Sequence, residues 1–212
     1  MIDIVTQIND IRREVGSGRL GGSEARSVIL RRRYDAEIED VWDACTNAER
    51  IPRWFLPVSG DLRLGGKYQL EGNAGGEIVK CEPPRLLRVT WVFGELPPSE
   101  VEVRLSAGAG GDTTDFELEH IAIVDPEHWV QFGPGAVGVG WDLTLLGLGL
   151  HLRGGGIDNP GEWLQSPEAK AFMTRSSDAW RVAHEASGAD PTEAAAMAQR
   201  TLAVYTGDPS AN

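Results

Sequence analysis

From Gly133 to Arg153 the chain reads GPGAVGVGWDLTLLGLGLHLR, and between Val137 and Leu152 it is almost wholly apolar, interrupted by Trp141-Asp142, Thr144 and His151. Trp141, Leu145, Leu148 and Leu152 recur at i, i+4, i+7 and i+11, with Leu143, Leu146 and Leu150 on the adjoining face. This period predicts a helix, although Leu146 to Leu152 also alternates as a strand would. The apolar run of sixteen residues falls short of the roughly 20 that span a bilayer. A helix apolar around most of its girth must therefore be enclosed by the rest of the chain. Gly138, Gly140, Gly147 and Gly149 each cost it roughly 1 kcal/mol relative to alanine. That cost is tolerated where another backbone or a ligand comes close.

The 212 residues suffice for one large domain with appendages, and 41% hydrophobic with 25% charged residues is ordinary for a soluble protein. A net charge of -12 argues against nucleic acid or an anionic membrane as partner, since both need a basic face. The one basic cluster, Arg31-Arg32-Arg33, falls in a candidate strand and is read as its solvated face. Cys45 and Cys81 form no CxxC, so neither zinc site nor disulfide framework is expected, and both read as small core residues. The N-terminus lacks an apolar signal region, which places the protein in the cytoplasm.

In chain order, Ile4, Ile8, Ile11 and Val15 predict an amphipathic helix over 3–15, followed by a flexible connector from Gly16 to Gly22. Ala25 to Tyr34 reads as the first strand. Ile38, Val41, Trp42 and Cys45 then stripe a helix with acids in its first turn, and a second short helix is expected from Asn47 to Arg53. Five strands separated by turns follow: 67–71, 77–82, 86–93, 99–106 and 113–124. Pro83-Pro84 and Pro97-Pro98 break the chain between them. Leu87, Val89, Trp91 and Phe93 share one face, as do Phe116, Leu118 and His120, giving a meander with an apolar concave side. Asp125 to Phe132 is a loop or helical turn anchored by Trp129. After a Gly154-Gly155-Gly156 hinge, Ser166-Pro167-Glu168 starts a helix to about Ala186 that turns Phe172, Ser176, Ala179 or Trp180, and Ala183 inward. Asp190-Pro191 starts a last one to about Tyr205, and the tail after Gly207 is expected to be loose.

Several words of this sequence resemble the START-like (SRPBCC) superfamily, in the branch named after the activator of heat-shock-protein-90 ATPase. They are Arg33-Tyr34-Asp35-Ala36, Val41-Trp42-Asp43-Ala44, Ile51-Pro52-Arg53-Trp54-Phe55 and Asp61-Leu62-Arg63-Leu64-Gly65-Gly66. Gly76-Glu77-Ile78-Val79, Glu82-Pro83-Pro84-Arg85-Leu86-Leu87, Leu118-Glu119-His120 and Gly140-Trp141 complete the set, which runs from Ala25 to Leu152. The resemblance implies an α+β helix-grip (START/Bet v-like) fold, an antiparallel sheet wrapped around a long C-terminal helix. Extra C-terminal helices are added here. The chain thus divides into an N-terminal helical extension (1–22), a helix-grip domain (23–153) and a C-terminal helical extension (157–206) that packs on the domain or on a partner. The resemblance also implies a hydrophobic pocket between sheet and long helix. Family members use that pocket for lipids, polyketides or hormones, and membership alone implies no activity.

The chemical motifs add little. Gly133-x-Gly135-x-x-Gly138 has the dinucleotide spacing but lacks the strand before it and the βαβ unit after it. His120, His128, His151 and His184 have no metal-ligand spacing, so neither metal nor cofactor is expected, and His151 is read as favoured by the helix C-terminal dipole. No serine sits in a nucleophile elbow, and Glu77, Glu117 and Glu119 are read as solvated. The expected function is binding of a small hydrophobic ligand, with Trp54, Tyr68, Trp91, Phe116, His120, Trp141 and Leu145 around the cavity and no assigned catalytic residue. His120 is its polar contact or a satisfied structural group. Two other readings stay open. One is a stress-related or co-chaperone-like interaction module, or a homodimer, using Trp163, Phe172, Trp180 and Met197. The other is a polyketide cyclase or aromatase using His120 as a base.

Overall fold

The computed structural model describes residues 2–97 and 99–208. Eight antiparallel strands form one sheet in the order β1-β2-β8-β7-β6-β5-β4-β3. They are β1 (Arg12–Leu20), β2 (Ser23–Tyr34), β3 (Val58–Gly60), β4 (Lys67–Leu70), β5 (Gly75–Glu82), β6 (Leu86–Trp91), β7 (Ser99–Ala107) and β8 (Thr114–Ala122). The helices are α1 (Ile4–Asn9), α2 (Ile38–Thr46), α3 (Pro126–Phe132), α4 (Gly135–Leu152), α5 (Pro160–Trp163), α6 (Pro167–Ala186) and α7 (Pro191–Thr206). This is the α+β architecture expected, with α4 as the long gripping helix. Pro98 and residues 209–212, where the loose tail was expected, lie outside the described residues.

The N-terminus departs from its expected helix. Only Ile4–Asn9 is helical; Arg12 to Leu20 is a full edge strand paired with β2 from Arg12↔Arg31 to Leu20↔Ser23. The expected connector is therefore sheet, closed by the turn at Gly21 and Gly22, both with positive φ. The second short helix shrinks to a 3-10 turn at Ile51–Arg53. Asp125 to Phe132 is α3, with Asp125 capping its N-terminus.

One sheet face is charged, the other apolar. Outward, Arg33 pairs with Asp115, Arg31 bridges Glu14 and Glu117, and Arg104 bridges Glu102 and Glu117. Glu117 is thus tied into an ion-pair ladder rather than freely solvated, and Glu102 is covered by Arg88 and Arg104. Inward, Val28, Leu30, Phe116, Leu118, Val101 and Leu105 pack against Val139, Trp141, Leu145 and Leu148 of α4.

Arg32 corrects the reading of the basic run. Period-two alternation places it on the inner face with Leu30 and Tyr34, and it is 3% exposed. Its guanidinium donates to Gln7 Oε1 (2.7 Å) and the Leu145 carbonyl (3.3 Å), lies 3.7 Å from Asp10 and stacks over Tyr34. Both cysteines are only half-buried, at the edges of apolar clusters, and burial pushes the Cys45 thiol up to about 12.

α4 runs 18 residues, longer than the sixteen-residue apolar run read from the sequence, and by length and composition alone it could cross a bilayer; half of it is buried within this fold as the core helix. Each of its glycines admits a neighbour. A Cβ would stand 2.3 Å from the Trp180 ring at Gly138, 2.3 Å from the Trp54 carbonyl at Gly147 and 3.1 Å from the Arg32 guanidinium at Gly149. α6 is capped by Ser166 as its sequence predicts, and it buries Phe172, Ser176, Trp180 and Ala183. Trp180, Ala183 and Met173 join the main core, so α6 is part of the domain's interior.

Candidate functional site

Strand register assembles the polar centre of the site. β7 opens at Ser99, opposite Trp91 at the end of β6, and Val101 faces His120 on β8. Ser99 Oγ–H donates to the Trp91 carbonyl (2.9 Å), and Trp141 Nε1–H, from α4, donates to His120 Nδ1 (3.1 Å). Serine has one proton and indole nitrogen only donates, so the contact of 2.8 Å between His120 Nε2 and Ser99 Oγ must use a proton on Nε2. His120 is thus the neutral Nε2–H tautomer with both nitrogens engaged. Burial disfavours its cation and pushes its pKa down from 6.5 to about 4. Ser99 Oγ keeps a spare lone pair. The aromatic rings close around this chain: Trp91 and Trp141 centroids are 5.1 Å apart, and His120 meets Trp141 edge-on at 5.8 Å.

A cavity of about 860 Å³ opens beside this cluster, between the β6–β8 end of the sheet, the 3-10 turn, the first half of α4, and α5. Trp54, Trp91, Trp141 and Trp163 line it, with Phe55, Leu143 and the exposed apolar rim of Phe93, Leu96 and Val137. Three of those indole N–H groups are already satisfied: Trp54 on the Ala44 carbonyl, Trp141 on His120 and Trp163 on Glu168. The walls therefore offer ring faces. Polar groups on the lining include Ser99 Oγ, Thr144 Oγ1 and Tyr205 Oη, each already donating its proton to a carbonyl, together with Arg53, Asn73, Asp125 and His128.

Of the seven residues expected around a cavity, Trp54, Trp91, His120 and Trp141 line it and the other three do not. Phe116 packs edge-on against Tyr34, and Leu145 is 1% exposed, both in the main core. Tyr68 donates to the Thr90 carbonyl (2.8 Å) and faces a separate, more open hollow at the β3–β5 edge. Strand and helix periods give the inward face of an element but not which part of that face borders the void. Ser99 was missed because its partners come from register, and Trp163 and Tyr205 because they lie beyond the resembling segment.

His151 corrects a further expectation. Burial and the adjacent Arg50, whose guanidinium lies 3.3 Å from Nε2, push its pKa down and outweigh any helix-dipole support for the cation. Asp142 belongs to no sequence motif. It is fully buried and accepts from Arg13 Nε (3.0 Å), Ser176 Oγ (2.5 Å) and Trp180 Nε1 (3.1 Å). Burial raises its pKa, and Arg13 and the two neutral donors oppose that rise. Its signal was in the sequence as the one acid in the apolar helix.

The family described as activator of Hsp90 ATPase homolog 1-like protein matches residues 35–152. The crystal structure of CalU16 from Micromonospora echinospora is 41% identical, with 82% of this chain and 97% of CalU16 covered at a TM-score of 0.67. The solution NMR structure of CalU16 is 36% identical, covering 95% of this chain and 97% of CalU16 at a TM-score of 0.64. That breadth takes in the C-terminal helices. DynU16, a protein in the dynemicin biosynthetic locus, shares the fold at 23% identity and a TM-score of 0.52, over 60% of this chain and 47% of its own. No curated protein matches the chain.

Proposed function

The chain belongs to the activator of Hsp90 ATPase homolog 1-like family, and from that premise we propose that it binds a small hydrophobic molecule between its sheet and α4. The supporting observation is the cavity itself, about 860 Å³ walled by four tryptophans. Ligand sites of roughly 300–1,000 Å³ are usually apolar with a few polar groups, and this one has that make-up. Flat indole faces favour an unsaturated or aromatic ligand, and the spare lone pairs of Ser99, Thr144 and Tyr205 favour one bearing a hydroxyl.

Two other readings have less to support them. In the ligand-free fold both nitrogens of His120 are hydrogen-bonded and burial pushes its pKa down to about 4, so a role as general base requires these contacts to rearrange when a ligand enters. The apolar residues that suggested a partner surface are covered within the chain. Phe172, Trp180 and Met197 are buried, and Trp163 lines the cavity.

The test is native mass spectrometry of protein from its own host, with fluorescence titration of 1-anilinonaphthalene-8-sulfonate on the same sample. We expect a releasable small-molecule mass or saturable dye binding, either one lost in Trp91→Ala while the melting curve stays cooperative. Absence of both, or dye binding indifferent to Trp91, overturns the reading.

A further inference from the structure

One part of the cavity wall comes from a segment that the family match does not include, since the match ends at residue 152. That segment starts at Gly154-Gly155-Gly156. Gly154 has φ +75°, and Gly156 has nothing within 4 Å of where a Cβ would stand. It ends where Ser166 caps α6. Between them Ile157, Pro160, Trp163 and Leu164 face the cavity, and Leu164 is still 39% exposed. The backbone hydrogen bonds of α5 are local: Trp163 N–H to the Asn159 carbonyl, Leu164 N–H to that of Pro160 and Ser166 N–H to that of Trp163. Among the described residues, the segment from 156 to 165 has one side-chain hydrogen bond to the rest of the fold. Trp163 Nε1–H donates to Glu168 Oε2 at 2.7 Å. The other oxygen of Glu168 accepts the Ile2 N–H at 2.8 Å, so this carboxylate is itself tethered.

We propose that residues 156–165 are a hinged cover over the ligand cavity, latched by the Trp163–Glu168 hydrogen bond, and that this latch sets how fast a ligand enters and leaves. The proposal rests on the ligand-binding reading of that cavity. Gly154 and Gly155 donate their N–H groups to the His151 and Leu150 carbonyls (both 2.9 Å) and stay tied to α4, so the freedom to swing belongs to Gly156, whose backbone has open space around it. A short helix with local hydrogen bonds can move as a body without breaking the sheet or α6. Trp163 serves as the cavity-facing plug, and Glu168 is a positioning residue that never meets the ligand.

Two measurements test it on the full chain. The first needs no ligand. Amides of residues 163–166 should exchange with deuterium on the order of tenfold faster than those on the buried face of α6, because a cover opens without global unfolding. Glu168→Ala and Trp163→Phe, which keeps an aromatic, though smaller, ring and removes the N–H, should each speed that exchange further. Equal protection of the cover and α6 would overturn the proposal. The second is stopped-flow binding of 1-anilinonaphthalene-8-sulfonate. Both variants should raise association and dissociation rates together, each about fivefold for loss of one charge-assisted hydrogen bond. A merely loosened pocket would raise dissociation alone. If the dye binds in a Trp91-dependent way and neither variant changes its rates, the latch is wrong and the binding reading stands. If Trp91-dependent binding is absent, the binding reading falls and the cover has nothing to gate.

Discussion

His120 keeps its ring neutral because Trp141 donates to one nitrogen and burial penalises the cation, and that has a measurable consequence for acid stability. Its pKa is 6.5 in the unfolded chain and about 4 in the fold. Between those values the unfolded chain holds the additional proton, so acid favours unfolding. The stabilisation is fully present above pH 6.5 and is lost as pH falls toward 4. Wild type should lose about 3 kcal/mol through this group between pH 7 and pH 4. His120→Gln, which can still accept from Trp141 and donate to Ser99 but cannot titrate, should lose that much less. Denaturant unfolding at the two pH values measures the difference, and parallel losses would show that His120 is not buried neutral. Alternation with Phe116 and Leu118 made the inward direction of His120 legible. Its hydrogen-bond chain was not, because Ser99 and Trp141 reach it through register and helix placement that no local pattern encodes.

α4 shows what a period can and cannot tell. Its apolar girth and its glycines were readable as a buried helix closely approached by something. The approaching groups turn out to be the Trp180 ring, the Trp54 carbonyl and the Arg32 guanidinium, each from a distant part of the chain. Gly138→Ala gains roughly 1 kcal/mol of helix propensity but drives a methyl to 2.3 Å from the buried Trp180 indole. Overpacking costs about 1–3 kcal/mol, so a net loss of about 1 kcal/mol is expected. At Gly140 the nearest atom is the Tyr205 hydroxyl at 3.1 Å, the far end of a movable side chain. Gly140→Ala should therefore stay within about 0.5 kcal/mol of neutral, and denaturant midpoints of the two variants make the comparison. The first strand illustrates the opposite failure. Ile11 and Val15 are four apart, a spacing that satisfies both a helical period and a strand's alternation. Pairing of β1 along its whole length with Ser23–Arg31 of β2 decides for the strand, and a partner strand is invisible to a local window.

At the scale of the whole molecule, the segments outside the family match are wired into its centre. Asp142, on α4, joins Arg13 of β1 to Ser176 and Trp180 of α6, so one buried carboxylate holds together the N-terminal strand, the gripping helix and the C-terminal helices. Arg13 also donates to the Ile8 and Ile11 carbonyls, which fixes where α1 gives way to β1. The lone acid of the apolar helix was legible; its partner 129 residues away was not. Breaking such a pair from one side is expensive because the remaining charge stays buried, typically about 3–5 kcal/mol. Asp142→Asn preserves an acceptor for Ser176 and Trp180 but strands the Arg13 cation, and Arg13→Met strands the Asp142 carboxylate. Each should therefore cost about 3 kcal/mol. In the double variant no charge is left, and the Ile8 and Ile11 carbonyls that Arg13 held become open to other donors. The double loss should fall well short of the sum, with a coupling of at least about 1.5 kcal/mol in a denaturant-unfolding cycle. Additive losses would mean that the extensions cover the grip without being held by this carboxylate. Strong coupling would make the N-terminal strand, α4 and α6 one cooperative unit, against which the α5 cover is the part free to move.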